Sequence, residues 1–169
     1  MRVLGIDPGT AITGYGVVEA WIGRAPQLVE CGVIKTLPRD PLPERLRLIH
    51  DELLGLIDRL APESVVVEGV FAARNVKSAL VLGHARGAIL LAAALRGVPV
   101  TEYSPAIIKQ TVVGRGAALK PQVGFMVAQL LRLKSAPRPA DAADGVAIAL
   151  THLLRTAPKS IAPFLGRRG

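Results

Sequence analysis

Asp7 closes an apolar run, Val3-Leu4-Gly5-Ile6, and a tight Pro8-Gly9 turn follows it. Glu68 closes a second such run, Ser64-Val65-Val66-Val67. Asp141 and Asp144 open a segment that is otherwise apolar through Val146, Ile148, Ala149 and Leu150, and their spacing puts both on one face of a helix. An isolated carboxylate embedded in such surroundings is costly, and several brought together repel one another and rise in pKa. A divalent cation relieves both problems. An oxygen-only ligand set, with no Cys or His cluster, favours Mg²⁺ or Mn²⁺ over zinc. Each acid also has a plainer reading. Asp7 could cap its turn by accepting from Gly9 and Thr10, and Glu68 could pair with an arginine. Asp141 could be a helix N-cap, and Asp144 a first-turn acid favoured by the helix dipole. All four plain readings holding together is the less economical account.

The elements that must carry these residues follow from the hydrophobic pattern. Val3 to Asp7, Ile12 to Glu19 and Leu28 to Thr36 read as strands, with a turn over Gly23 to Pro26, and their short connections favour an antiparallel meander. Leu42, Leu46, Ile49, Leu53, Leu56, Ile57 and Leu60 recur at helical spacing before Pro62. Ser64 to Glu68 reads as a buried central strand, Asn75 to Arg96 as an Ala/Leu-rich helix stopped by Gly97, and Val98 to Tyr103 as a strand. Ser104-Pro105 has the form of a helix start. Gly114-Arg115-Gly116 reads as a loop, Pro121 to Leu133 as a helix, Ser135 to Pro139 as a break, and Ala140 to Arg155 as a final helix. The order β-β-β-α-β-α-β-α-α predicts an α/β fold, a mixed sheet with helices on both faces. That pattern resembles the ribonuclease H-like architecture, which by itself assigns no function.

Composition narrows the partner. The chain of 169 residues is half hydrophobic and carries 21 Lys and Arg against 13 Asp and Glu, a net charge of +8. Between Gly69 and Ala140, ten basic residues (Arg74, Lys77, Arg86, Arg96, Lys109, Arg115, Lys120, Arg132, Lys134 and Arg138) face only Glu102. A block so one-signed points to a polyanion, because phosphate contacts supply most non-specific nucleic-acid affinity. A solvated basic surface without a partner is the alternative. The basic residues are scattered rather than set on an aromatic-faced helix, against a membrane-surface role. The apolar run in MRVLGIDPGT is too short for a signal peptide and the longest apolar runs are too short to span a bilayer, so a cytoplasmic location is expected. The lone Cys31 excludes an intramolecular disulfide and reads as a small buried strand residue.

Four separated blocks carry a more specific signal: LGIDPGTAITGYGVV at Leu4 to Val18, VVVEGVFAARNVKSALVLGHARG at Val65 to Gly87, IIKQTVVGRGAALKPQV at Ile107 to Val123, and ADAADGVAIALTH at Ala140 to His152. Together they resemble the RuvC family of Holliday junction resolvases, over Arg2 to about Arg155. The resemblance implies a nuclease domain over residues 1-155; residues 156-169, with two prolines and a terminal run of Gly and Arg, read as a flexible basic tail lacking a clear counterpart. It implies a homodimer that binds a four-way DNA junction and makes paired symmetric nicks in recombination and repair, and a possible association with a branch-migration motor. It puts Asp7, Glu68, Asp141 and Asp144 on the catalytic, metal-holding positions. There two Mg²⁺ ions, with Mn²⁺ able to substitute, activate water and stabilise the leaving 3′-oxygen, and Asp7 is the expected shared ligand. Lys109 and Lys120 fall beside the scissile phosphate. Phe71 matches an aromatic placed against unstacked bases, with a core phenylalanine as the alternative. Arg74, Asn75, Lys77 and Arg115 are candidate phosphate contacts. Gly69 departs from the family pattern, where a polar side chain is expected. The small residues Ala85, Gly87, Ala88, Ala92 and Ala93 suggest a dimer face on the long second helix.

Three other readings use some of the same residues. Gly5 to Thr10 resembles the first phosphate loop of the actin and sugar-kinase ATP-binding fold, but that fold needs two domains and a second loop. A catalytically dead DNA-binding module predicts missing carboxylates, and all four are present. A ribonuclease H acting on RNA–DNA hybrids shares the carboxylate logic, and only the family blocks speak against it.

Overall fold

The computed structural model describes residues 1–69 and 76–156. The chain forms β1 (Arg2–Asp7), β2 (Ile12–Glu19), β3 (Gln27–Lys35), α1 (Leu42–Leu60), β4 (Ser64–Glu68), α2 (Val76–Leu95), β5 (Val100–Tyr103), α3 (Pro105–Val113), α4 (Lys120–Leu130) and α5 (Ala140–Thr156). The sheet order is β3-β2-β1-β4-β5. The first three strands are the antiparallel meander, and β4 and β5 add in parallel.

Alternation along the strands divides the core in two. Leu4, Ile6, Val65 and Val67 face α1 and α2, while Val3, Val18 and Val66 face α3, α4 and α5. On the first side the expected α1 stripe is buried through Ile49, Leu53, Leu56, Ile57 and Leu60. The helix stops where Ala61 turns left-handed ahead of Pro62. Truncating one of these buried side chains to alanine costs about 2–5 kcal/mol.

On the other side α5 lies almost directly on the backbone of β1 and β2. Four glycines permit this approach: Gly5 of β1, Gly14 and Gly16 of β2, and Gly145 of α5. A Cβ at Gly14 would sit 2.0 Å from the Asp141 carbonyl oxygen, and one at Gly145 would sit 2.5 Å from the Tyr15 carbonyl carbon. Small residues thus press the start of α5 onto the strand beside β1, with Asp141 at the contact. At the other end of α5, the Tyr103 hydroxyl meets His152 Nδ1 at 3.2 Å, and the Arg155 guanidinium lies 5.6 Å from the Tyr103 ring centre.

Several expectations need correction. Three helices, not two, follow β5, because the Ser104-Pro105 start continues into a complete helix. Ser104 Oγ accepts from the Ile107 N–H at 3.3 Å, and left-handed Gly114 closes the element. Strand β5 begins at Val100 because the Val98 N–H is bonded back to Ala93 at the end of α2. Cys31 is in β3 as expected but only partly buried. Of the small residues suggested as a dimer face, Ala85, Ala92 and Ala93 are buried, packed with Ile89 in the α1-side core, while Gly87 is exposed and Ala88 partly so. Helix α2 is long and apolar enough by composition to cross a bilayer, and less than a quarter of its apolar window is buried by the fold. The basic block is also partly committed, since Arg86 pairs with Glu102 and Arg96 makes a two-pronged pair with Asp58 of α1 at 2.5 and 2.8 Å.

Candidate active site

Parallel pairing of β1 with β4 runs in register through Ile6 and Val67. The next residue of each strand is therefore Asp7 and Glu68, side by side at the same sheet edge. Both belong to the alternation that faces α5. The Gly14 contact holds the first turn of α5 at that edge, and one carboxylate oxygen each from Asp7, Asp141 and Asp144 lies within 4.8 Å of the others. Residues separated by more than 130 positions thus meet in one pocket. Glu68 joins them through a side-chain hydrogen bond with Asp7. Asp7 is thereby common to both halves, the β4 acid and the α5 pair.

The electrostatics follow from that crowding. Burial first, then the charges of Glu68 and Asp144, push the Asp7 carboxyl up to about 7. Burial also raises Glu68, with Asp144 adding to it, against lowering by its hydrogen bond with Asp7 and by Lys120 and Lys109. Lys120, the first residue of α4, places Nζ 2.6 Å from Asp144 Oδ2, and that bond raises the Lys120 pKa. A cleft of about 180 Å³ holds Asp7, Glu68, Asp144, Lys109 and Lys120, walled by Ile108, Val123 and Ile148. An apolar wall strengthens every charge interaction inside it.

The plainer readings of the acids give way at specific atoms. Hydroxyls of Thr13 and Thr36 donate to the Gly9 and Thr10 carbonyls, so the turn after β1 is held without the Asp7 carboxylate. Pro139 provides the carbonyl that accepts the first α5 amides, from Ala142 and Ala143, and Asp141 lies inside the first turn. Glu68 is bonded to another acid, Asp7. Half-buried acids sharing a hydrogen bond, with an ammonium drawn onto a third, form a cluster short of positive charge. All the donors are oxygens, so the set fits a hard divalent cation.

Of the other candidates, Lys77 is exposed in the first turn of α2, and Arg115 is exposed in the loop between α3 and α4. Phe71, Arg74 and Asn75 lie outside the described residues. Gly69 is buried, and its N–H bonds to the Tyr103 carbonyl at 2.8 Å, so backbone pairing governs that step. Sequence reasoning missed the apolar walls from α3, α4 and α5. Their only signal was Ile108 beside Lys109 and the run after Asp144. It also missed the alternate glycines of β2, whose i, i+2 spacing on one strand face marks a close neighbour.

The profile of the family described as Crossover junction endodeoxyribonuclease RuvC matches residues 3–152. The chain belongs to the RuvC family. A crossover junction endodeoxyribonuclease RuvC of Alkalilimnicola ehrlichii is 53% identical over 152 residues, 90% of each chain. That of Halorhodospira halophila is 50% identical over 169 residues, covering 99% of each. This second alignment extends into the last residues of the chain, whereas the family profile ends at residue 152. The structure of T. thermophilus RuvC in complex with Holliday junction substrate superposes with a TM-score of 0.87 at 44% identity, covering 92% of this chain and 94% of the other. The fold is accordingly the ribonuclease H-like mixed sheet that the element order predicted.

Proposed function

We propose that this RuvC-family chain resolves four-way DNA junctions by metal-dependent hydrolysis, with Asp7, Glu68, Asp141 and Asp144 as the metal-holding acids. The observation that carries the reading is the convergence of Asp7, Asp141 and Asp144 within 4.8 Å, inside a fold shared with a RuvC bound to a Holliday junction. Two Mg²⁺ ions, or Mn²⁺ in their place, would supply the Lewis acidity and the neutral-pH nucleophile that phosphodiester hydrolysis requires. The chain's own residues do the rest. Lys109 and Lys120 line the cleft beside the acids, where an ammonium can hold a phosphate oxygen and offset negative charge developing in the transition state. Helix α4 begins at Lys120, so the positive end of its dipole adds to that charge. The apolar walls limit water at the reacting centre.

Paired nicks need two such sites. Helix α2 keeps Val76, Leu80, Leu91 and Leu95 exposed, with Gly83 and Gly87 between them at helical spacing. That stripe, opposite the buried Ala85, Ala92 and Ala93, is the proposed contact with a second copy. A branch-migration motor is proposed as a further partner on the family resemblance alone.

The decisive test incubates the protein and Mg²⁺ with a synthetic four-way junction, a linear duplex, an RNA–DNA hybrid, or ATP. Symmetric paired nicks in the junction alone are expected. Cleavage of the hybrid alone would reassign the enzyme as a ribonuclease H, and turnover of ATP alone would return it to the kinase-like fold.

A further inference from the structure

Beside the acidic cleft lies a second hollow, of about 500 Å³, whose walls are largely apolar. Pro121 and Gly124 of α4 form one side, Ala136, Pro137 and Pro139 of the run before α5 another, and Ala143 of α5 the third. Lys120 and Asp144 line both this groove and the acidic cleft. They are bonded to each other at 2.6 Å, so this ion pair is the partition between the two spaces. Arg138, exposed, completes the lining. The groove is open because Gly124 has no side chain: a Cβ there already comes within 3.4 Å of the Ala136 Cβ. Nothing in the metal chemistry needs this space.

Its occupant follows from its neighbour. A strand whose phosphate reaches the acids places the adjoining nucleotide within one step of the shared partition. Proline rings and alanine methyls offer little to a phosphate or a sugar hydroxyl, but they suit the face of a base. Extruding a base costs stacking and pairing, and that cost is least where strands exchange and pairing is already disturbed. An arginine among the lining residues can hold the edge of a base or its phosphate.

We propose that this groove receives the base of the nucleotide next to the phosphodiester being cut, and that its fit decides which sequences are cut. The proposal rests on the junction-cutting reading above and goes beyond it. Gly124 and Ala136 are its size-setting residues, and Arg138 contacts the base edge.

The test uses the whole chain with Mg²⁺ and a panel of four-way junctions differing only in the dinucleotide at the crossover. Wild type cuts its preferred members at least about tenfold faster than the rest, the size of discrimination a shaped pocket provides. Gly124→Leu and Ala136→Phe, which fill the groove, bind junctions in Ca²⁺ within about twofold of wild type, but cut preferred members about tenfold more slowly and lose the preference. Arg138→Ala shifts the preference with a smaller loss of rate. Unchanged rate and preference in both groove-filling variants would overturn the proposal. A second readout does not depend on those variants folding. 2-Aminopurine next to the scissile phosphate changes its fluorescence when wild type binds in Ca²⁺, whereas the same probe three nucleotides away does not. An unaltered signal at the flanking position would equally overturn the groove. A wild-type protein that cuts no junction would sink the functional reading itself, and cutting with no sequence preference sinks only the groove.

Discussion

Asp7 stands at the junction of everything the site does, and its chemistry is therefore the most exposed to test. Asp7→Asn keeps the size of the side chain and removes the charge. It should lower junction cutting by at least about a thousandfold, since the lost interaction acts on the reacting centre, while a gel-shift assay shows binding retained. Undiminished cutting would remove Asp7 from the mechanism. The raised Asp7 pKa also makes a stability statement. The group ionises at 3.8 when unperturbed and at about 7 in the metal-free fold. Between those values the native state holds a proton that the unfolded chain has released, so stability is full below the lower value and is lost as pH rises through the upper. Melting of the metal-free protein should thus show a decline from pH 4 to pH 8, on the order of a few kcal/mol. Asp7→Asn should flatten it, and Mg²⁺ should stabilise more at pH 8 than at pH 5 because the ligands must be deprotonated to bind. A metal-free melting temperature rising through that window would contradict the assigned burial. These carboxylates were legible in the sequence because each interrupts an apolar run. What was illegible at this scale was their pairing, such as Lys120 with Asp144, which depends on two helices separated by a proline-rich run.

At the scale of elements, the contact of α5 with β2 positions the acids. Gly14→Val puts new atoms against the Asp141 backbone, and something must shift. We expect a loss of several kcal/mol, in the upper range of single substitutions, and weaker Mn²⁺ binding by electron paramagnetic resonance in whatever folds. Normal stability and metal affinity would show that the contact is not needed. Helix α2 supplies a second test. Leu80→Asp together with Leu91→Asp places charge on the exposed stripe and should give a monomer by sedimentation, with single-site cutting or none. A dimer persisting at micromolar concentration would move the interface elsewhere. The strands and α1 could be read almost to the residue, because a period of two or 3.6 survives in the sequence. The face of α2 could not. Its apolar residues run round the whole helix, and only packing against α1 tells the covered alanines from the exposed leucines.

For the whole molecule, charge is the coarse signal and folding the fine one. The excess of +8 should give junction binding that weakens steeply with salt, with a log–log slope near −0.9 for each phosphate neutralised, about 6–10 in all. A slope near zero would make recognition non-electrostatic. The basic block read from composition was only partly available for this, since ion pairs take up Arg86 and Arg96, a distinction that needs three dimensions. The order of assembly has a different consequence. Strands β1 and β2 leave the ribosome first, and the helix they must lie against is made last among the described elements. Contacts so distant along the chain form slowly. A nascent or interrupted chain ending before Ala140 therefore lacks half its acids and much of its core. Such a fragment has Asp7 and Glu68 at the ends of their strands but no helix to bring the other two carboxylates to them, so the cluster is completed only by the final turns of the chain to be made.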